Sequence, residues 1–160
     1  MVDLVAAVAN GGTLYRPTVV DHIGSGGGAP DEPWPVQVRG ELPITPDQLA
    51  TLQSAMYDVA NSPSGTATFQ FGELLPVPVA GKTGTAEDPP RTSHAWFAGY
   101  APAAPYTRPD GATIEKPEIA VVVMVENAGE GSAVAAPIFR RVVELYYGVE
   151  PPRPYPWAGG

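Results

Sequence analysis

Three strand-forming runs follow one another between residues 77 and 126 with no helical pattern between them, and this constrains the fold more than any other feature. The first covers about residues 77–86. The second is His94-Ala95-Trp96-Phe97-Ala98-Gly99-Tyr100-Ala101, and the third is Glu118-Ile119-Ala120-Val121-Val122-Val123-Met124-Val125-Glu126. Successive strands without a crossover helix pair antiparallel. The third run is almost continuously apolar, which predicts a central place in the sheet. The connections, 88–93 and 102–117, carry turn formers such as Asp110-Gly111.

Helices frame this sheet. In Thr45-Pro46-Asp47-Gln48, Thr45 suits an N-cap, Pro46 the first helical position and Gln48 the return half of a capping box. Leu49, Leu52, Met56, Val59 and Ala60 then recur at helical spacing, predicting a helix to about Asn61 that Ser62-Pro63-Ser64-Gly65 ends. Residues 66–75 suit a short helical turn. Residues 2–10 fit one short helix, stopped by Asn10-Gly11-Gly12, and with no cap before it this reads as the end of a longer helix cut at an internal Met. A final helix is predicted over 132–147, regular from about Ala136 because Pro137 tolerates only a first turn, with Gly148 closing it. Thr18 to Ile23 reads as a strand, residues 24–35 as a loop, and 36–39 as a strand that pairs with 18–23 in a hairpin. Residues 149–160 are proline-rich without periodicity and are predicted extended or disordered. The fold class is therefore α+β, an antiparallel sheet packed against helices.

Charge and composition exclude several functions. A net charge of −8 opposes nucleic acid or an anionic membrane as partner, because both need a positive field. Cys is absent, and His22 and His94 are too far apart in sequence for metal-ligand spacing, so neither a metal nor a cofactor is expected. No apolar run reaches the ~18 residues of a membrane span.

The chemistry concentrates in Val79-Ala80-Gly81-Lys82-Thr83-Gly84-Thr85-Ala86-Glu87. Lys82 is one of only two lysines, the other being Lys116. A lysine at a strand end is usually a plain surface cation. Here it stands beside two hydroxyls, Thr83 and Thr85, with Gly81 and Gly84 clearing the approach, a combination suited to a carboxylate. Gly81-Lys82-Thr83 also resembles the end of a phosphate loop, but that motif needs a glycine where Pro76 stands and a helix afterwards. Glu87 and Asp88 are neighbours on one strand and so face opposite ways, which rules against a paired-carboxylate site. His94 reads as structural, and Trp96, Phe97 and Tyr100 as packing.

Lys82-Thr83-Gly84-Thr85 resembles the K-T-G motif of penicillin-binding proteins and β-lactamases. Its flanks strengthen the likeness. Residues 9–17, Gly65-Thr66-Ala67, the strand 94–102 and Ala135-Ala136-Pro137-Ile138-Phe139 all resemble segments of class B penicillin-binding proteins, in the same order. The resemblance covers residues 1–148 and leaves 149–160 as a tail. It implies the transpeptidase fold in incomplete form and a D,D-transpeptidase of cell-wall synthesis at the extracytoplasmic face of the envelope, anchored outside this chain. It implies roles too: Lys82 for the electropositive side of the cleft, and Thr83 and Thr85 for the terminal carboxylate of D-Ala-D-Ala or of a β-lactam. The Thr85 N–H would be an oxyanion donor, and Gly84 would leave room for the substrate backbone. Implied partners are the peptidoglycan stem peptide, β-lactams and cell-wall synthases.

The family's nucleophile motif, S-x-x-K, does not occur after any of Ser25, Ser54, Ser62, Ser64, Ser93 or Ser132, and S-x-N is absent as well. The chain thus reads as the C-terminal part of a transpeptidase domain, without activity alone. The same residues without a nucleophile also fit a non-catalytic peptidoglycan- or partner-binding module.

Overall fold

The computed structural model describes residues 1–24, 32–153 and 155. A three-stranded antiparallel sheet stands between helices. Its strands are β5 (Ala80–Asp88), β6 (Arg91–Ala101) and β9 (Ile119–Val125), in the order β5-β6-β9. The helices are α1 (Val2–Ala9), α2 (Pro46–Asn61) and α3 (Ala135–Tyr147).

Strand alternation explains the layering. Phe97 and Ala95 of β6 join Val121, Val123 and Val125 of β9 in one cluster with α3, through Phe139 and Val143. Ala98 and Tyr100 of β6, with Ala120 and Val122 of β9, join Val5, Val8 and Met56 of α1 and α2 on the other face. Phe71, Phe97 and Phe139 meet as three rings, with centroids 4.7 to 5.9 Å apart, tying the 68–74 segment to sheet and helix.

The helix at 46–61 forms as its sequence dictates. Thr45 accepts from the Gln48 N–H, and Gln48 returns the bond to the Thr45 N–H. At its other end Asn61 Nδ2 donates to the Val79 carbonyl at 2.8 Å, fixing the approach to β5. Short 3-10 turns occupy Thr68–Gln70 and Gly72–Leu74. Gly148 takes a left-handed conformation, φ 66°, and closes α3.

Three expectations need correction. First, β9 is not central: among the described residues it pairs only with β6 and lies at an edge. Its apolar run reflects cover on both faces, by α1 and α3, and not a central position. Second, residues 36–39 do not pair with 18–23. Strand β1 (Thr13–Tyr15) pairs with β4 (Val38–Glu41), and β2 (His22–Ile23) with β3 (Glu32–Pro33), which falls in the expected loop. Pro17 and Pro35 lack the N–H that would carry the ladder through, so one hairpin is split into two short ladders. Third, the expected loop 102–117 holds a small ladder of β7 (Tyr106–Thr107) with β8 (Thr113–Ile114).

The tail also differs from an unpacked extension. Val149 packs on the main cluster, and Tyr155 is buried against α3. Residues 25–31, 154 and 156–160 lie outside the described residues, and with them most of the expected loop and the end of the tail.

Candidate functional site

Strand β5 carries Lys82, Thr83, Gly84 and Thr85 along one edge of the sheet. Lys82 sits opposite Ala98, on the α1/α2 face, whereas Thr83 sits opposite Phe97 and Thr85 opposite Ala95, on the α3 face. The side chains of the lysine and the threonines therefore leave the strand on opposite faces. What brings the cation back is its length: Lys82 Nζ reaches the Thr83 carbonyl at 2.6 Å. Thr83 and Thr85, two positions apart, turn their backbone groups to the same side of the strand, so the Thr85 N–H shares the side of that carbonyl.

Thr83 has a second partner. Its Oγ1 lies 3.0 Å from Thr66 Oγ1. Thr66 is held by a tight turn after α2: the Ala67 N–H donates to the Val59 carbonyl at 2.9 Å. A Cβ on Gly65 would come within 2.3 Å of the Asp58 carbonyl, so only glycine fits there. The sequence marks Gly65-Thr66-Ala67 as part of a resemblance, but not Thr66 as a neighbour of Thr83. That neighbour depends on how the 62–67 turn folds back.

Gly84 is tight rather than roomy toward the protein: a Cβ there would stand 3.2 Å from Trp96 Cβ. From the other face Gly131 presses on the same strand. Its hypothetical Cβ would meet the Trp96 carbonyl at 2.1 Å and the Gly84 carbonyl at 2.5 Å. Gly131 went unrecognised in the sequence because nothing local distinguishes it from the glycines of an ordinary loop. Its carbonyl accepts from the Ala135 and Ala136 N–H groups, so the start of α3 is seated directly on the K-T-G-T segment.

Beside Lys82 an apolar groove of about 400 Å3 opens between α1, α2 and residues 42–44, lined among others by Leu4, Val8, Leu52 and Met56. Glu87 is exposed and Asp88 takes part in a separate cluster at the far end of the hairpin. Arg91 Nε donates to the Asp88 carboxylate at 2.8 Å and Asn127 Nδ2 at 3.0 Å. These bonds, with His94 Nε2 at 3.5 Å, hold the Asp88 carboxyl below its ordinary value. His94 Nδ1 accepts the Asn127 N–H at 3.0 Å, which makes this histidine a structural link between β6 and the loop after β9.

As a donor set, the strand offers an ammonium on one face, two hydroxyls on the other, and a third hydroxyl, that of Thr66, beside Thr83. It contains no nucleophile–base pair. No serine hydroxyl among the described residues is bonded to a lysine or histidine, and no helix in them is long and apolar enough to cross a membrane.

Comparison with known proteins finds relatives along most of the chain. The family model for the penicillin-binding protein transpeptidase domain matches residues 1–144. The peptidoglycan D,D-transpeptidase PbpA of Mycobacterium tuberculosis is 32% identical over 158 residues, covering 93% of this chain and 29% of that protein. The imipenem acyl-enzyme structure of penicillin-binding protein A from M. tuberculosis superposes with a TM-score of 0.66 at 30% identity, covering 91% of this chain and 29% of that one. Penicillin-binding protein 2B of Streptococcus pneumoniae R6 superposes with a TM-score of 0.67 at 27% identity, covering 94% and 24%. The chain thus spans about three-tenths of the length of the first of these relatives.

Proposed function

The chain belongs to the penicillin-binding protein transpeptidase domain family, and from that premise we propose that it builds the carboxylate-recognising wall of a peptidoglycan D,D-transpeptidase. In this reading Thr83 and Thr85 bind the terminal carboxylate of a D-Ala-D-Ala stem peptide, or of a β-lactam in its place. Lys82 supplies the positive field, and the Thr85 N–H is one donor to the oxyanion that forms when the acyl carbonyl is attacked. Gly84 keeps the outer side of the strand free of a side chain where the substrate backbone passes.

The observation that carries the proposal is the set of hydroxyls on one edge strand: Thr83 and Thr85 share a face, and Thr66 stands behind Thr83 at 3.0 Å. An anion entering from that edge meets directed donors already in place, so little reorganisation is needed on binding. The acylated serine and its lysine come from another segment, because no S-x-x-K occurs in these residues. Such a protein works on the extracytoplasmic face of the envelope, where its stem-peptide substrate is, and alongside a cell-wall synthase that supplies the glycan.

The coding frame upstream of Met1 discriminates. An in-frame S-x-x-K and S-x-N, in a protein that a fluorescent penicillin labels covalently, supports the transpeptidase. A stop codon and ribosome-binding site immediately before Met1 overturns it in favour of a non-catalytic binding module.

A further inference from the structure

A buried charged cluster on α3 has no part in the anion site, yet one of its members grips the segment that holds Thr66. Glu144 is fully buried and Arg140 nearly so. Arg140 Nε lies 3.3 Å from Glu144 Oε1, and Arg141 Nη1 donates to Glu144 Oε2 at 3.3 Å. Tyr155 closes the cluster from the tail. Its hydroxyl accepts from Arg140 Nε at 2.7 Å and donates to Glu144 Oε2 at 2.9 Å, and its ring lies under the guanidinium, with Cζ 4.6 Å from the centroid.

The remaining end of Arg140 points away from the tail. Its Nη1 donates to the Gln70 carbonyl at 2.9 Å. Gln70 ends the short 3-10 turn, and its own N–H donates to Ala67, next to Thr66. A planar guanidinium cannot rotate one nitrogen without moving the others. Fixing Nε by Tyr155 and Glu144 therefore fixes where Nη1 meets Gln70. The line of contacts is short and continuous: Tyr155, Arg140, Gln70, the 67–70 turn, Thr66, Thr83.

We propose that Tyr155 is a positioning residue, a strap against α3 that sets the Thr66–Thr83 hydroxyl pair through Arg140 and Gln70. Its consequence for ligand binding rests on the carboxylate reading of Thr83 given above. Burial holds the Tyr155 phenol neutral, its pKa pushed up to about 12, so the hydroxyl keeps its proton for Glu144 across ordinary pH. The strap acts only on orientation. Tyr155 works through Arg140 and Gln70, and the two hydroxyls stay on their own elements without it.

The test is Tyr155→Phe in the full chain, labelled with 15N. The ring and its contact with Arg140 persist, and only the hydroxyl is lost. Expected are changed amide resonances at Gln70, Ala67, Thr66 and Thr83, an unchanged Gln48 amide in the distant α2 cap, and about twofold weaker binding of N-acetyl-D-Ala-D-Ala, a fraction of what one lost hydrogen bond costs. Arg140→Lys, which cannot hold both partners, should give the same pattern by a second route. The proposal is overturned if both variants disturb only α3 and the tail, with Thr66 and Thr83 resonances unmoved. If the unmodified chain does not bind the dipeptide, the carboxylate reading fails, and the ligand-free resonances still decide for or against the strap.

Discussion

Thr66 Oγ1 stands 3.0 Å from Thr83 Oγ1 across 17 positions of chain. A threonine hydroxyl has one hydrogen and two acceptor sites. With Thr66 donating, the hydrogen of Thr83 stays free for an incoming anion, and its direction is set before the ligand arrives. The first consequence concerns binding. Thr83→Val, which keeps the shape and loses the donor, should weaken N-acetyl-D-Ala-D-Ala about tenfold or more, because hydrogen bonds to charged groups are worth roughly 1.5–3 kcal/mol. Thr66→Val should cost less, about threefold, and Thr66→Ser should restore it. An amide-shift titration measures all three. Equal affinity in Thr83→Val would remove the hydroxyl from the account.

Gly131 makes a stability prediction. A methyl group at 131 meets two backbone carbonyls of the sheet, which cannot step aside as a flexible side chain would. Gly131→Ala should destabilise by about 2–4 kcal/mol. Gly129→Ala is the control, since a Cβ there meets nothing within 4 Å and only its φ of +94° opposes the change. It should cost about 1 kcal/mol. Urea denaturation of the two variants compares them, and similar losses would mean that α3 is not seated on Gly84 as described.

The capping box offers a smaller effect. Thr45→Ala removes the acceptor for the Gln48 N–H and should cost about 1 kcal/mol. Gln48→Ala should cost a similar or smaller amount, and the double variant less than the sum, because the two bonds belong to one motif.

How much of this was legible in the sequence varies with the range of the interactions. The helix at 46–61 was readable to its ends, because Thr45, Pro46 and Gln48 are local signals. The antiparallel pairing of β5, β6 and β9 was readable from three successive runs with no helical pattern between them. The split hairpin was not, because its partner choice turns on where Pro17 and Pro35 interrupt the ladder. The edge position of β9 was hidden because cover by helices on both faces gives the same apolar pattern as a central strand. Of the site, Lys82, Thr83, Gly84 and Thr85 stood out by composition. Thr66 and Gly131 did not, since their places against β5 are made by turns far away in sequence. Tyr155 was unreadable for the same reason: its partners lie on α3.

Acid should loosen the loop after β9. The Asp88 carboxyl is held below its ordinary value of 3.8, first by Arg91 and then by Asn127. A carboxylate lowered in the folded state adds stability that is complete above the unfolded value and is lost as pH falls through the folded one. Protection of the Asn127 side-chain amide, which donates to Asp88, should therefore fall on acidification below about pH 4, and Asp88→Asn should remove that step. An Asn127 amide whose protection ignores this window would contradict the cluster.

The central proposal is that Lys82, Thr83 and Thr85 recognise a carboxylate in a chain whose sequence has no S-x-x-K. Titrating the 15N-labelled chain with benzylpenicillin, followed by intact-mass analysis, tests it most directly. The account predicts saturable shifts at the Thr83 and Thr85 amides and an unchanged mass. A covalent adduct, or saturable binding that leaves β5 untouched, would contradict it.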